Sequence, residues 1–236
     1  MTFLYKDYIF KNLLSKINLI EDIEIVECEK NKVITNKNEE LEGVPFFATG
    51  RVPNSEIAKD IVELNQDNTI KVNEMMETNV EHIYAAGDVT GGYQLTPVAR
   101  MEGITAARNM ANYPNKVVYH EIPQTLSLNT EVSFVEDEKN NCSDENKVDI
   151  GIPGIAGPGA FWKILSGDTG YTKISFDKKQ NKIKKITSIS PSSVSDVAYL
   201  SYLMRINSPL DAYGDFLEIH PSTDANYKII KNIGKR

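Results

Sequence analysis

The sequence contains little cysteine: Cys28 and Cys142 are the two cysteines among its 236 residues. Two isolated cysteines suggest no disulfide framework of the kind on which small secreted proteins depend. The first residues also lack a basic start followed by an apolar run, which a secretion signal would show. We therefore predict a protein of the reducing cytoplasm.

Long apolar runs and an excess of positive charge are missing as well. No segment approaches the roughly 18–20 consecutive apolar residues that a membrane-spanning helix requires. The chain carries 33 acidic and 26 basic residues, for a net charge of -7, whereas affinity for a nucleic-acid backbone comes from clustered Lys and Arg. We predict no membrane partner, no nucleic-acid partner and no metal site.

The pattern of apolar residues changes character near residue 116, where we place a domain boundary between 1–116 and 117–236. In the first part we predict one helix over 3–17 and a second helix with Thr96 as its N-cap. We predict strands over 23–27, 32–35, 44–48, 69–72 and 83–86. In the second part we predict strands over 117–120, 124–128, 131–135, 148–152, 172–176 and 182–188, then a helix over 194–204 capped by a serine at 192, 193 or 195.

The pair Gly87-Asp88 is where chemistry first shows in the sequence. It follows an apolar segment, and ligands of open α/β sheets bind where such strands end. Gly87 lets a ligand approach the backbone closely, and an ionised Asp88 can accept hydrogen bonds from a polyol. The helix beginning near Thr96 would direct its free N–H groups to the same region. Taken alone, such a pair more often marks a structural turn than a binding site.

Three sequence blocks together make a more specific pattern. They read ATGRVPN at residues 48–54, TNVEHIYAAGD at 78–88 and QLTPVARMEG at 94–103. In residues, order and spacing they resemble the pyridine nucleotide–disulfide oxidoreductases, the flavoprotein disulfide reductase family that includes dihydrolipoamide dehydrogenase and mercuric reductase. This resemblance implies an oxidoreductase that passes hydride from NADH or NADPH to FAD and then to an acceptor.

The resemblance also implies roles for individual residues in holding FAD. Asp88, after Gly87, matches the family aspartate that hydrogen-bonds the ribityl chain. Thr49 and Gly50 match a turn that lies along the flavin nucleotide. Leu95 and Thr96 match a helix start that faces the flavin. Arg51 belongs to the same block, although a surface arginine that pairs with a neighbouring acid remains an equal alternative.

The second half resembles the dimerisation domain of the same family. His220-Pro221 matches the dipeptide whose histidine acts as an acid–base group at the other subunit's flavin, a role that suits imidazole. The family places a glutamate five residues further on, where this chain has Ala225. Asp224 is the nearest acid, and it either partners His220 or serves a helix dipole. The resemblance thus implies a homodimer.

Two further family patterns are absent from the sequence. It contains no G-x-G-x-x-G phosphate-binding fingerprint and no C-x-x-x-x-C redox pair. The predicted fold is therefore α/β plus α+β: a partial FAD/NAD-binding domain followed by an antiparallel dimerisation domain with helices. We expect the C-terminal part of a flavoenzyme, inactive alone. Two alternatives stay open: a non-catalytic dimerisation or interaction module, or one subunit of a split enzyme whose other chain supplies the N-terminal segments.

Overall fold

The computed structural model of this protein describes residues 18–127, 131–137, 147–153, 171–190, 192–215 and 217. The chain divides into two compact units between Val118 and Tyr119. The predicted helix over 3–17 lies outside the described residues. The assignment of the two units to a nucleotide-binding domain and a dimerisation domain stays a prediction.

The first unit begins with a three-stranded antiparallel sheet. Its strands, in the order β1-β2-β3, are β1 (Ile25–Cys28), β2 (Lys32–Thr35) and β3 (Glu40–Glu42). The predictions over 23–27 and 32–35 are thus confirmed within two residues. Among the described residues of this unit the strands pair only antiparallel, so the α/β assignment stays a prediction.

Three strands predicted for the first unit are wrong in the described structure. Residues 44–48 form no strand: Pro45 has no N–H to donate to a ladder, and Phe46 is 91% exposed. The other two, over 69–72 and 83–86, are reduced to the isolated bridges Leu64↔Ile70 and Glu77↔Tyr84. A strand needs a neighbour to accept its backbone hydrogen bonds, and no described strand lies beside these segments.

One long helix, α1 (Thr96–Met110), supports the rest of this unit. Its buried side chains recur at helical spacing: Val98, Glu102, Thr105, Ala106 and Asn109. Asn109 donates to the carbonyls of Met75 and Asn115, both at 2.8 Å, and so ties the helix to the loop before it and the chain after it. The predicted strand over 117–120 is wrong, because the Val117 N–H donates instead to the Glu74 carbonyl at 2.9 Å.

The second unit is built on a five-stranded antiparallel sheet of order β4-β5-β8-β7-β6. The strands are β4 (Gln124–Leu126), β5 (Val132–Glu136), β6 (Lys147–Pro153), β7 (Tyr171–Asp177) and β8 (Lys182–Ile189). All five were predicted, with errors of no more than two residues at their ends. The antiparallel sheet with helices expected here is therefore observed.

A helix, α2 (Ser193–Arg205), packs on this sheet and completes its core. The fully buried side chains at the centre include Val135, Ile174, Ile186, Val197 and Leu200. Ser192 occupies the N-cap position as predicted, but it makes no capping bond; its hydroxyl donates to the Asp196 carboxylate at 2.9 Å. Within the described ranges, no helix has the length and apolarity that a bilayer crossing requires.

Candidate flavin-binding site

The Gly87-Asp88 pair forms a tight turn. Gly87 has φ +87° and ψ -164°, a conformation that a side chain would strain, and Asp88–Thr90 forms a short 3₁₀ turn after it. Both the N–H and the hydroxyl of Thr90 donate to the Gly87 carbonyl at 2.9 Å. The turn is thus closed on itself, and it leaves the Asp88 side chain 49% exposed.

The turn brings together two of the predicted sequence blocks. The Arg51 guanidinium lies 3.5 Å from the Asp88 carboxylate, and its side chain is 75% exposed. Because water screens such an exposed pair, it contributes no more than about 1 kcal/mol to stability. Next to it, Gly50 has φ +106° and open space where a Cβ would lie. Thr49 is exposed beside it. The block 48–54 thus places the Arg51 cation next to Asp88, beside a glycine with no side chain.

The start of α1 differs by one residue from the prediction. Leu95, in an extended conformation, is the N-cap, and Thr96 is the first helical residue, so the prediction of Thr96 as the cap is wrong. Pro97 follows in the first turn, and no described side chain caps this end. The first N–H groups of a helix have no acceptor within it, so this end carries partial positive charge. It remains suited to the electron-rich edge of a ligand.

Glu102 is a site residue that the sequence reasoning missed. Its side chain is only 2% exposed, and one carboxylate oxygen accepts hydrogen bonds from the Gly87 N–H at 2.6 Å and the Thr90 hydroxyl at 3.3 Å. The helical spacing could have identified it, because Glu102 lies between Val98 and Ala106 on the buried face of the helix. A carboxylate at a buried helical position needs hydrogen-bond donors, and the turn supplies them.

The titratable groups nearby show where charge is stabilised. A neighbouring turn places the Thr69 hydroxyl at 2.6 Å and the Thr69 N–H at 3.1 Å from Asp67, and these hydrogen bonds lower the pKa of its carboxyl below the usual value. Among the residues whose positions are described, no three His, Cys, Asp or Glu side chains cluster as metal ligands would. The candidate site is thus organised around hydrogen bonds and single charges.

Sequence comparison matches residues 9–103 to a known family. A sequence profile described as pyridine nucleotide-disulphide oxidoreductase matches residues 9–103, which include every site residue from Thr49 to Glu102. Over these residues the chain is similar to that family. A protein of Methanocaldococcus jannaschii is 32% identical over 221 residues, covering 89% of this chain and 50% of that protein. A dihydrolipoyl dehydrogenase of Chlamydia trachomatis is 25% identical over 214 residues, covering 89% and 45%.

Two solved structures share the fold. LpdA of Mycobacterium tuberculosis superposes with a TM-score of 0.80 at 17% identity, over 98% of this chain and 51% of that one. The HOCl-induced flavoprotein disulfide reductase RclA of Escherichia coli gives 0.71 at 19% identity, over 89% and 50%. This chain therefore spans about half the length of the relatives it matches.

The second predicted group of site residues cannot be placed. His220 and Asp224 lie outside the described residues, so their predicted roles stay predictions. Of the first group, the structure brings together Arg51 and Asp88, and it places the Gly87 turn against α1, with the position of a Gly87 Cβ 3.5 Å from the Ala99 Cβ.

Proposed function

We propose that this chain supplies the C-terminal part of the flavin site of an FAD-dependent NAD(P)H oxidoreductase. Members of the family are FAD-dependent enzymes that use NAD(P)H. The observation that carries the proposal is the meeting of all three family blocks at one turn: Gly87 lies against Ala99 of α1, and Asp88 lies 3.5 Å from Arg51. Because the chain spans about half the length of its relatives, the activity of a whole protein of that length is also a proposal.

The residues present fit the chemistry of FAD. Asp88, half exposed on a fixed turn, is the acceptor for ribityl hydroxyl groups. Gly50 adopts positive φ and has open space where a Cβ would lie, so the nucleotide can lie close to its backbone. At the uncapped helix start, the Leu95 N–H donates to the Tyr93 carbonyl at 2.9 Å, and the Thr96 N–H would face the flavin ring.

The bound flavin would supply hydride acceptance from NAD(P)H and onward electron transfer. The side chains of this site orient that group and do not themselves exchange hydride. Arg51, with its permanent charge, would hold a negatively charged part of the nucleotide. The electron acceptor and the choice between NADH and NADPH are not assigned by these residues.

The test is an absorbance spectrum of the purified chain after incubation with excess FAD and removal of free flavin. We expect retained flavin bands, weakened by Asp88→Ala, because this substitution removes the acceptor. Asp60→Ala is the matched control, as Asp60 is another exposed aspartate of the same unit. Retention that is equal in all three proteins would contradict the role of Asp88, and no retention by the unchanged chain would contradict a flavin site that this chain forms alone.

The proposal extends to a homodimer in which His220 acts at the flavin of the other subunit, with Asp224 as either its partner or a residue that serves a helix dipole. The observation behind it is the second unit, whose antiparallel sheet and helix have the architecture predicted for a dimerisation domain. Light scattering should give twice the chain mass of 26.4 kDa. A strict monomer at all concentrations would remove the basis for a role of His220 across the interface.

A second candidate is a subunit of a split enzyme, or an interaction module without catalysis. The exposed apolar side chains of Val44, Phe46 and Phe47 favour it, because such a group usually marks a surface that another segment covers. Co-expression with a chain that carries G-x-G-x-x-G distinguishes these alternatives. FAD uptake only in the presence of that chain supports the split enzyme, and no uptake in either case supports the interaction module.

A further inference from the structure

We infer that Glu102 is the positioning residue of the candidate flavin site: its buried carboxylate fixes the Gly87-Asp88 turn against α1 and so sets where Asp88 presents its acceptor oxygens. The Gly87 N–H donates to Glu102 at 2.6 Å, and the Thr90 hydroxyl donates to the same oxygen at 3.3 Å. The role of Asp88 in this inference rests on the proposed function. The link between Glu102 and the turn rests on geometry alone.

The chain between the turn and the helix does not by itself fix their relation. Gly91 and Gly92 follow the turn directly, both with positive φ, and glycine loses more conformational freedom on folding than any other residue. Glu102 lies 15 positions after Gly87 in sequence and reaches back from the second turn of α1. The Glu102 side chain thus connects the turn directly to α1, independently of the backbone between them.

The hydrogen bond from the Gly87 N–H to Glu102 is charge-assisted. A carboxylate that accepts from a backbone N–H makes a shorter and stronger hydrogen bond than a neutral pair does, and burial removes competition from water. The Glu102 side chain is 2% exposed. Without it, the half-buried Gly87 N–H would lose its acceptor, and the Thr90 hydroxyl would keep only the Gly87 carbonyl among its described partners.

The direct test of the link is the NMR signal of the Gly87 amide in glycine-labelled protein, assigned with Gly87→Ala. In the unchanged chain this proton should appear far downfield and exchange slowly with solvent. Glu102→Gln keeps the size of the side chain and an acceptor oxygen but removes the charge, so the signal should move upfield and exchange faster. A rapidly exchanging Gly87 amide in the unchanged chain would overturn the inference without the need for any variant.

The functional test is FAD affinity, measured by flavin fluorescence well below the melting temperature. We expect Glu102→Gln to weaken binding by about tenfold, the effect of losing one charge-assisted hydrogen bond. Asn109→Ala is the matched control, because Asn109 is also buried and hydrogen-bonded on α1 but contacts Met75 and Asn115 instead of the turn. It should lower stability and leave both the Gly87 signal and FAD affinity unchanged.

The outcomes separate this inference from the proposed function. If Asp88→Ala weakens FAD binding and Glu102→Gln does not, the positioning role is wrong while the flavin site stands. If Glu102→Gln and Asn109→Ala lose affinity equally, in step with stability, Glu102 has a structural role only. If the chain takes up no FAD either alone or with a chain that carries G-x-G-x-x-G, the proposed function fails together with the flavin role of Glu102, and the amide measurements still decide whether the link exists.

Discussion

Arg51 and Asp88 form an ion pair across 3.5 Å that joins two loops 37 positions apart in sequence. Neither loop belongs to a described strand or α-helix, so their approach depends on turns and on single side-chain contacts. Asp88 is held by the turn that Gly87 opens, whereas Arg51 follows a glycine with positive φ and stays largely in solvent. The cation is therefore the more mobile partner and the carboxylate the fixed one.

This asymmetry predicts a modest effect of Arg51→Gln. The free energy of unfolding should change by no more than about 1 kcal/mol, because exposed ion pairs contribute little. FAD affinity should fall less than in Asp88→Ala, and the loss should shrink as salt concentration rises. Urea unfolding and flavin titration at two salt concentrations measure both. Arg100→Gln, on the exposed side of α1, is the control; a larger loss of affinity in Arg51→Gln than in Asp88→Ala would reverse the assignment.

The conformation of Gly87 gives a second prediction. Gly87→Ala should destabilise the first unit by about 1–2 kcal/mol, because φ +87° strains any side chain. Space is not the cause, since the new Cβ would make an ordinary 3.5 Å contact with Ala99. Urea unfolding, followed by circular dichroism, measures the change.

Gly103 provides the matched comparison for that substitution. It lies within α1, has no positive φ, and has open space for 4 Å around the position that a Cβ would take. Gly103→Ala should therefore stabilise the chain by about 0.5–1 kcal/mol, since alanine is the better helix former. Opposite signs for the two substitutions support the strained turn, and equal signs would contradict it.

The sequence predicts the second unit far better than the first, for a physical reason. In the second unit every strand has a neighbour within the described residues, so the local apolar alternation and the actual pairing agree. In the first unit the apolar segments at 44–48 and 83–86 have β-forming composition but no described strand beside them. Residues 83–86 make only an isolated bridge between Tyr84 and Glu77, so local propensity there is not converted into a strand.

The site shows the same division between local and non-local information. Gly87 and Asp88 can be found because a glycine and a carboxylate at a segment end form a local pattern. Glu102 acts through a contact with a residue 15 positions earlier. In the sequence, its only signal is a charged residue at a position on the buried face of the helix. The N-cap at Leu95 was missed because threonine is the better capping residue, whereas the extended backbone is found one position earlier.

A substitution in α2 that removes a core side chain should strongly destabilise the second unit. Leu200→Ala should destabilise this unit by about 2–5 kcal/mol, because Leu200 is fully buried between α2 and the sheet and the smaller side chain leaves a cavity. Tyr202→Ala on the same helix should cost much less, since Tyr202 is largely exposed. Thermal unfolding measures both; similar losses would mean that α2 does not pack as described.

A final prediction concerns the ion pair between Asp149 of β6 and Lys173 of β7, which lies across the strand pair at 2.6 Å. Partial burial raises the pKa of the Asp149 carboxyl, but hydrogen bonds from Lys173 and Ser175 and the positive charge of Lys173 outweigh it. The pKa therefore lies below its usual value. A carboxyl whose pKa is lower in the folded than in the unfolded state stabilises the fold above its unfolded pKa, about 3.9.

That contribution must disappear as the pH falls below about 4 and approaches the folded pKa. We expect Asp149→Asn to destabilise the chain by up to about 1 kcal/mol near neutral pH, a limit set by the 38% exposure of the carboxylate, and to have little effect in acid. Urea unfolding of the unchanged chain, Asp149→Asn, Lys173→Gln and the double variant forms a cycle that isolates the pair. A coupling that persisted unchanged in acid would show that charge on Asp149 is not its source.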